Sequence, residues 1–371
     1  MRILYVYKDY YPVLGGIENH IKMLAEGLTR RGYQVQVLVT NTSPKTVTEE
    51  INGVPVIKAG CPFRISGAPI SPALYAWLRR LEPDIAHLHF PNPPGELGQL
   101  FFGRSRCFVL TYHSDIVRQK YLLRVYKPFL WWVLARADAI TVSNPTYIET
   151  SLYLRPFADK CTVIHHGQDL SRFAHPNPDS VAAIRAPYTP RPLLLFVGRL
   201  RYYKGLEVLI EAMRGINAHL LIVGDGPMRQ EWEALTVELA LTKRVAFLGH
   251  IPDAELPAYY QACDLFVLPS THRSETWGAV QVEAMACGKP VVCTELGTGT
   301  SYVNLHEKTG LVVPPRDSAA LAQAINQLLA DPDLRRRLGE RGRQRAEQEF
   351  SKEIMVEATI ALYERLLSNG R

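Results

Sequence analysis

Short apolar runs alternate with stretches of helical periodicity along the whole chain. Ile3–Tyr7 is an apolar run, Ile17–Arg30 carries apolar residues at helical spacing, and Val35–Val39 reads again as a strand. The rhythm continues through Ile85–Leu88, Cys107–Tyr112, Ala139–Val142 and Cys161–Ile164, with helical stretches between several of them. Near-continuous apolar strands separated by helices predict a parallel sheet covered by helices. The texture changes at Pro187, Pro190 and Pro192, which read as a linker. A second series follows: Leu193–Val197, Leu220–Val223, Val245–Leu248, Leu265–Leu268, Pro290–Cys293 and Gly310–Val313. The chain ends in helices rich in Arg, Glu and Leu, from Ala319 to Leu367. The pattern predicts an α/β protein of two doubly wound domains in tandem, with ligand-binding loops at the carboxyl ends of the strands.

Composition narrows the class. With 371 residues, 47% hydrophobic and 21% charged, the chain is long enough for two packed domains and far from the disordered range. No apolar run nears the ~20 residues of a membrane helix; the longest clean one around the tryptophans is Phe129–Ala135. Lys8 and Asp9 stop the first apolar run too early for a signal peptide. The expectation is a soluble, cytoplasmic protein. The six cysteines contain no C-x-x-C pair, so they are expected to be small buried hydrophobes, with neither disulfides nor a metal.

Charge is unevenly distributed. Residues 1–190 hold 21 basic and 14 acidic side chains, a net of +7, whereas residues 191–371 hold 21 and 22, a net of −1. The first half is therefore expected to meet an anionic partner: a phosphate-bearing acceptor, a membrane surface or nucleic acid. No nucleic-acid motif accompanies the basic residues, and nucleic acid is not expected as a partner.

Four loops after strands carry candidate chemistry. Pro12–Glu18 places Gly15 and Gly16 before a helix, where backbone N–H groups could approach an anion or simply turn the chain. Gly198–Gly205 holds Arg199 and Lys204, two cations able to neutralise a diphosphate. Gly224-Asp225-Gly226-Pro227 begins like a dinucleotide fingerprint, but Arg229 stands where the last glycine belongs, so this loop reads as structural. The fourth loop runs from Pro269 into a helix and separates Glu275 from Glu283 by seven residues. If helical, that interval would span about 12 Å, enough for one carboxylate to meet a sugar and the other a ribose.

Glu275 to Glu283, followed by Ala-Met-Ala-Cys-Gly-Lys-Pro-Val-Val, resembles the E-x7-E region of retaining GT-B glycosyltransferases, especially family 4. Gly198-Arg199-Leu200 with Lys204-Gly205 resembles that family's diphosphate loop, and Gly15-Gly16-Ile17-Glu18 its N-terminal glycine loop. Val142-Ser143 and His166-Gly167-Gln168-Asp169 fit two further stations, all in the expected order. The resemblance implies a GT-B fold: two Rossmann-like domains facing a cleft, with a C-terminal helix crossing back to the first. The domains are expected at 1–186, binding acceptor, and 187–355, binding nucleotide sugar, with 356–371 as the returning helix and Tyr363 in its contact region. The resemblance also assigns residues. Arg199 and Lys204 would hold the diphosphate and stabilise the departing nucleotide, Glu283 would take the ribose hydroxyls, and Glu275 the donor sugar. Amides around Trp277, Gly278, Ala279 and Val280 would hold sugar and phosphate, His250 and Ile251 would pass the nucleobase, and Gly16 would let its loop close. His113, in Thr111-Tyr112-His113-Ser114-Asp115, matches the family's active-site histidine, with Asp115 available to orient its ring. His165 and His166 read as a strand-end turn.

The implied reaction is metal-independent hexosyl transfer with retention, from a nucleotide-diphosphate sugar that is a substrate, no cofactor being expected. The segment Glu295–Asn304 lacks the family's usual Gly-Gly-Glu run and resembles bacterial O-antigen and exopolysaccharide transferases, which favours GDP-mannose as donor. A UDP-linked glucosyl or N-acetylhexosaminyl donor is the alternative. Outside the transferases, the rivals are a nucleotide-sugar epimerase and a non-catalytic nucleotide-sugar-binding protein. The incomplete glycine fingerprint argues against a nicotinamide oxidoreductase. Asp331-Pro332-Asp333 reads as a helix start rather than a metal motif. Arg118, Lys120, Arg124 and Lys127 lie beside aromatic residues on a stretch that suits an anionic membrane surface or a polyprenyl-diphosphate-linked acceptor. The rival there is a core helix broken by Pro128. Peripheral attachment to the inner face of the cytoplasmic membrane follows as an expectation.

Overall fold

A computed structural model describes residues 1–13, 15–65, 68–115, 120–174 and 176–369. The chain divides into two compact units, one of Met1–Gly167 with Lys352–Arg371, the other of Gln168–Ser351.

The first unit is built on an eight-stranded sheet. Its strands are β1 Arg2–Val6, β2 Gln34–Thr40, β3 Val47–Ile51, β4 Val54–Ala59, β7 Ile85–Phe90, β8 Cys107–Tyr112, β9 Ala139–Val142 and β10 Cys161–Val163, with a separate small hairpin of β5 Phe63–Ile65 and β6 Ala68–Ile70. The order β10-β9-β8-β7-β1-β2-β4-β3 is parallel except for the β3–β4 hairpin. Helices α1 Gly16–Arg30, α2 Pro72–Arg80, α3 Pro93–Phe102, α4 Lys120–Arg136 and α5 Pro145–Thr150 follow strands or connect them. β7 and β8 are buried at every position, which is why they read as unbroken apolar runs apart from their histidines and Thr111.

The second unit carries β11 Leu193–Val197, β12 His219–Val223, β13 Val245–Gly249, β14 Leu265–Leu268, β15 Val291–Thr294 and β16 Gly310–Val313. Its helices are α6 Ser171–Ala174, α7 Pro178–Arg185, α8 Leu206–Ala212, α9 Arg229–Glu238, α10 Leu256–Ala262, α11 Ala279–Ala286, α12 Gly299–Val303, α13 Ser318–Ala330 and α14 Pro332–Glu349. All six strands run parallel in the order β13-β12-β11-β14-β15-β16. The connection after β11 leads to β12 and the one after β14 leads the other way to β15, so the strand order reverses between β11 and β14, a switch point of the kind where open α/β sheets bind their ligands.

The last helix, α15 Lys352–Asn369, belongs to the first unit. Met355, Val356, Ile360, Leu362 and Tyr363 join the same apolar cluster as Ile21, Leu24 and Leu28 of α1, on one sheet face, while α2 and α4 cover the other. Tyr363 Oη lies 3.0 Å from Tyr5 Oη and 2.5 Å from His87 Nδ1, all three side chains buried. A buried polar group left unpaired costs about 1–3 kcal/mol, so these bonds fix the helix register.

The unit boundary differs from the sequence expectation. It falls at Gly167/Gln168 rather than at 186/187, and at Ser351/Lys352, four residues before the expected start of the returning helix at 356. The segment before β11 already belongs to the second unit: Phe173 is in its core, Val181 and Ile184 pack against it, and Arg185 Nη1 meets Asp264 Oδ2 at 2.8 Å. The proline cluster is a turn leading into β11 rather than a linker between units. Recounted on these boundaries, the first unit has 22 basic and 15 acidic residues (+7) and the second 20 and 21 (−1), so the charge asymmetry persists. Asp331 Oδ1 accepts from Leu334 N at 2.8 Å, capping α14. All six cysteines are free thiols.

Candidate functional site

In the second unit, three strand-end loops interlock through backbone contacts. Gly198 N donates to Val223 O at 3.0 Å and Leu200 N to Asp225 O at 2.9 Å, joining the loops after β11 and β12. A Cβ at Gly224 would overlap Gly198 O, and one at Gly226 would overlap Leu200 O. Those glycines therefore allow close backbone approach. Gly205 has φ +65°, and a Cβ there would overlap Pro269 O. That approach, with Thr271 N donating to Tyr203 O at 2.9 Å, brings the loops after β11 and β14 together.

Their meeting point is an ion pair. Lys204 Nζ lies 2.6 Å from Glu275 Oε2, with the two residues only 8% and 9% exposed. Ser270 Oγ donates to the same oxygen at 3.2 Å. Thr298 Oγ1 donates to the backbone carbonyl of Glu275 at 2.8 Å, so the loop after β15 anchors the main chain at this residue. Arg199 is exposed on the rim of this loop.

Glu275 precedes α11, which begins only at Ala279, so the Glu275–Glu283 interval is loop followed by helix. Gly278 caps that helix with φ 72° and ψ 55°, and Trp277 beside it is buried. Helix geometry leaves the first-turn amides at Ala279 and Val280 without intrahelical acceptors. Glu283 stands about one turn into the helix and is held separately: Tyr260 Oη donates to its Oε2 at 2.7 Å. Burial pushes the Glu283 carboxyl above its usual range, with Tyr260 and Arg172 opposing and Asp253 adding to the rise. Gly249, with φ +71°, turns the chain after β13, leaving His250 exposed and Ile251 half-buried.

In the first unit, Gly15 is the N-cap of α1 in extended conformation, and Gly16 is exposed with open space where a Cβ would stand. Leu14 lies outside the described residues. His113, just past β8, is buried and belongs to a group of five histidines that the sequence did not bring together. His89 Nδ1 lies 2.9 Å from His113 Nε2, and His166 Nδ1 lies 3.1 Å from His20 Nδ1. The rings of His87, His89, His113 and His166 form a stack with centroid spacings of 4.8, 5.2 and 5.1 Å, and His20 meets three of them edge-on. His166 sits at a strand-end turn as expected, yet its ring is a member of this stack.

Burial drives all five imidazoles towards neutrality. It takes His87 down to about 3 and His166 down to about 4, and it takes His20, His89 and His113 well below the ordinary histidine value, with repulsion among the rings adding to it. Asp115 does not orient His113. Its Oδ1 accepts from Tyr112 Oη at 2.7 Å and Ser151 Oγ at 2.8 Å, while His113 has His89 as its partner.

Ligand nitrogens of His20, His89 and His113 all lie within 4.8 Å of one another, a grouping with metal-ligand character that the sequence reading did not foresee. The 2.9 Å His89–His113 separation is shorter than the roughly 3.3 Å between two nitrogens on one tetrahedral zinc, and is a shared-proton contact. Nearby, burial pushes the Glu96 carboxyl up to about 7; it accepts from Asn92 N at 2.5 Å and from Tyr126 Oη.

The family model for Glycosyltransferase Family 4 matches residues 14–172, and that for Glycosyl transferases group 1 matches residues 181–345. The chain is 36% identical to the D-rhamnosyltransferase WbpZ of Pseudomonas aeruginosa, covering 95% of this chain and 92% of the relative. It is 35% identical to the O-antigen chain mannosyltransferase C of Escherichia coli, covering 100% of both. The chain belongs to the family 4, GT-B glycosyltransferases. Its fold is likewise that of a sucrose-phosphate synthase from Thermosynechococcus elongatus, with a TM-score of 0.82, 27% identity and 99% of both chains covered. In this glycosyltransferase the Lys204–Glu275 pair and Glu283 surround the switch point of the second sheet, while His113 belongs to the other unit, in its own imidazole stack.

Proposed function

We propose that the protein transfers mannose from GDP-mannose, with retention, to a saccharide or polyprenyl-diphosphate-linked acceptor in bacterial cell-surface polysaccharide synthesis. The observation that carries the donor site is the buried Lys204–Glu275 pair at the switch point, beside the first turn of α11. In this reading Lys204 and Arg199 face the donor diphosphate. Their charge stabilises the anion that grows as the glycosidic C–O bond breaks, and the α11 amides add fixed dipoles. Glu275 accepts from the sugar hydroxyls and Glu283 from the ribose. His113, held neutral by burial, enters this reading only as the family-type histidine of the first unit. The departing diphosphate takes the leaving charge, so neither glutamate acts as a glycosidase-type nucleophile. Mannose is favoured over other hexoses because the relative matching this chain end to end is a mannosyltransferase; a rhamnosyl donor is the second reading, favoured by the Pseudomonas relative.

The donor is tested by thermal stability with GDP, UDP and ADP. At 100 times its dissociation constant the matching nucleotide stabilises the protein by about 2.7 kcal/mol. A shift with GDP alone, lost in Arg199→Ala, is the expected result; a shift confined to UDP or ADP replaces the GDP assignment.

For the acceptor we propose that the first unit docks on an anionic membrane surface. α4 runs through Pro128 as one helix. It buries Leu130, Val133 and Leu134 and turns Phe129 and Trp132 outwards. Trp132, 49% exposed, meets Phe101, 53% exposed, edge-on at 5.4 Å. Arg124, Lys127, Arg136 and Arg104 are exposed around them. Arg118 lies outside the described residues, as does the side chain of Lys120. Among the described residues no helix is long and apolar enough to cross a membrane, so attachment would be peripheral. Vesicles with 30% anionic lipid should sediment the protein at low salt. Phe101→Ser/Trp132→Ser should reduce binding about tenfold, and retention of full binding by that variant would rule out this face.

A further inference from the structure

Tyr260 has a place in the donor site that the family signature does not give it. It lies on α10, fully buried, its ring packed against Phe173 at 5.7 Å and Phe266 at 5.6 Å, so the phenol has little freedom to swing. Its hydroxyl donates to Glu283 Oε2 at 2.7 Å. Among the described residues it is the side-chain hydrogen-bond partner of that carboxylate. Burial and the adjacent Glu283 hold the phenol well above its ordinary range, so it stays a donor at any working pH.

A carboxylate offers about four acceptor positions on two oxygens. One on Oε2 is taken by a donor whose ring is packed in place, which restricts rotation of the group and leaves Oε1 without a side-chain donor among the described residues. Two vicinal hydroxyls need a carboxylate held in one plane, because a freely rotating one loses entropy on binding. We propose that Tyr260 is a positioning residue for nucleotide selection: it holds Glu283 so that the site distinguishes a ribose from a sugar without hydroxyls. This rests on the reading of Glu283 as the ribose acceptor. A phenol that only satisfied its own buried hydroxyl would stabilise the fold without affecting that choice.

The test is isothermal calorimetry with GDP and 2′,3′-dideoxy-GDP, or the uridine and adenosine pairs if those bind better, on the wild type, Tyr260→Phe and Glu283→Gln. The wild type should prefer the ribonucleotide at least tenfold. Tyr260→Phe should weaken the ribonucleotide by about tenfold, in keeping with a bond to a charged group, and leave the dideoxynucleotide within twofold. The unchanged dideoxynucleotide affinity also shows that the variant is folded. Equal weakening of both ligands, or no change in either, overturns the proposal. If Glu283→Gln abolishes the preference and Tyr260→Phe keeps it, the ribose reading stands and the role of Tyr260 falls. If the wild type shows no preference, or binds none of the nucleotides, the reading of Glu283 fails first and the proposal with it.

Discussion

Replacing Lys204 by methionine should lower kcat by about 10²–10³-fold and destabilise the second unit by about 3 kcal/mol. The two effects have separate causes. Catalysis loses a fixed positive charge where the leaving diphosphate becomes more negative, a loss of the size seen when one preorganised donor is removed. Stability falls because the buried Glu275 carboxyl would lose its cationic partner and keep, among the described residues, Ser270 as its side-chain donor. Breaking one side of such a pair usually costs 3–5 kcal/mol, whereas removing both sides is often nearly neutral. Lys204→Met/Glu275→Gln should therefore recover most of the stability and none of the activity. Urea denaturation with steady-state kinetics on the two single variants and the double variant measures the coupling directly. If the double variant regained activity along with stability, the pair would be structural alone.

The first unit should lose stability steeply as pH falls below about 6.5. His20, His87, His89, His113 and His166 all have folded-state values depressed by burial. The unfolded chain binds protons from pH 6.5 downwards while the folded imidazoles stay neutral, so protonation favours unfolding. Each histidine removes about 1.4 kcal/mol per pH unit across that window, down to about pH 3 for His87 and about pH 4 for His166. Glu96, held up to about 7, has the opposite slope and offsets roughly one of the five, and Glu18, also raised by burial, adds to that offset. The net loss remains about 4 kcal/mol per unit of pH, comparable with the whole stability of many domains. Urea unfolding at pH 7.5, 6.5 and 5.5 should show it. His89→Asn should flatten the slope by about 1.4 kcal/mol per pH unit, whatever its stability at pH 7.5. A wild-type stability that stays level over this range would contradict a buried, neutral stack.

Much of the architecture was legible because parallel strands buried on both faces are written as apolar runs. Cys107–Tyr112, Ala139–Val142, Leu193–Val197, Leu265–Leu268 and Gly310–Val313 begin and end where the pattern puts them. β3 and β4 were not anticipated: β3 is an almost wholly exposed edge, and Pro55 interrupts β4. The proline cluster was misread because proline marks a turn wherever it falls, while a domain boundary depends on which sheet the flanking residues pack against. The carboxylates of the fourth loop were visible as a motif, but their different partners, Lys204 and Tyr260, come from other strand ends. The histidines were the hardest to see. His87 and His89 share a face of β7 by alternation, but His113 and His166 join them only because β7, β8, β9 and β10 lie side by side in the sheet, and His20 arrives from α1, which follows β1 on the other side of β7.

The placement of α15 has a consequence for synthesis on the ribosome. The second unit is a continuous stretch, Gln168–Ser351, inserted between two pieces of the first. All of its residues emerge before Tyr363 does. Tyr5 and His87, made before the second unit, have to wait for α15, made after it, before their buried hydrogen bonds can form. The first unit is thus begun before the second and completed after it, and a ribosome that stops short of residue 363 releases a complete second unit with an incomplete first one.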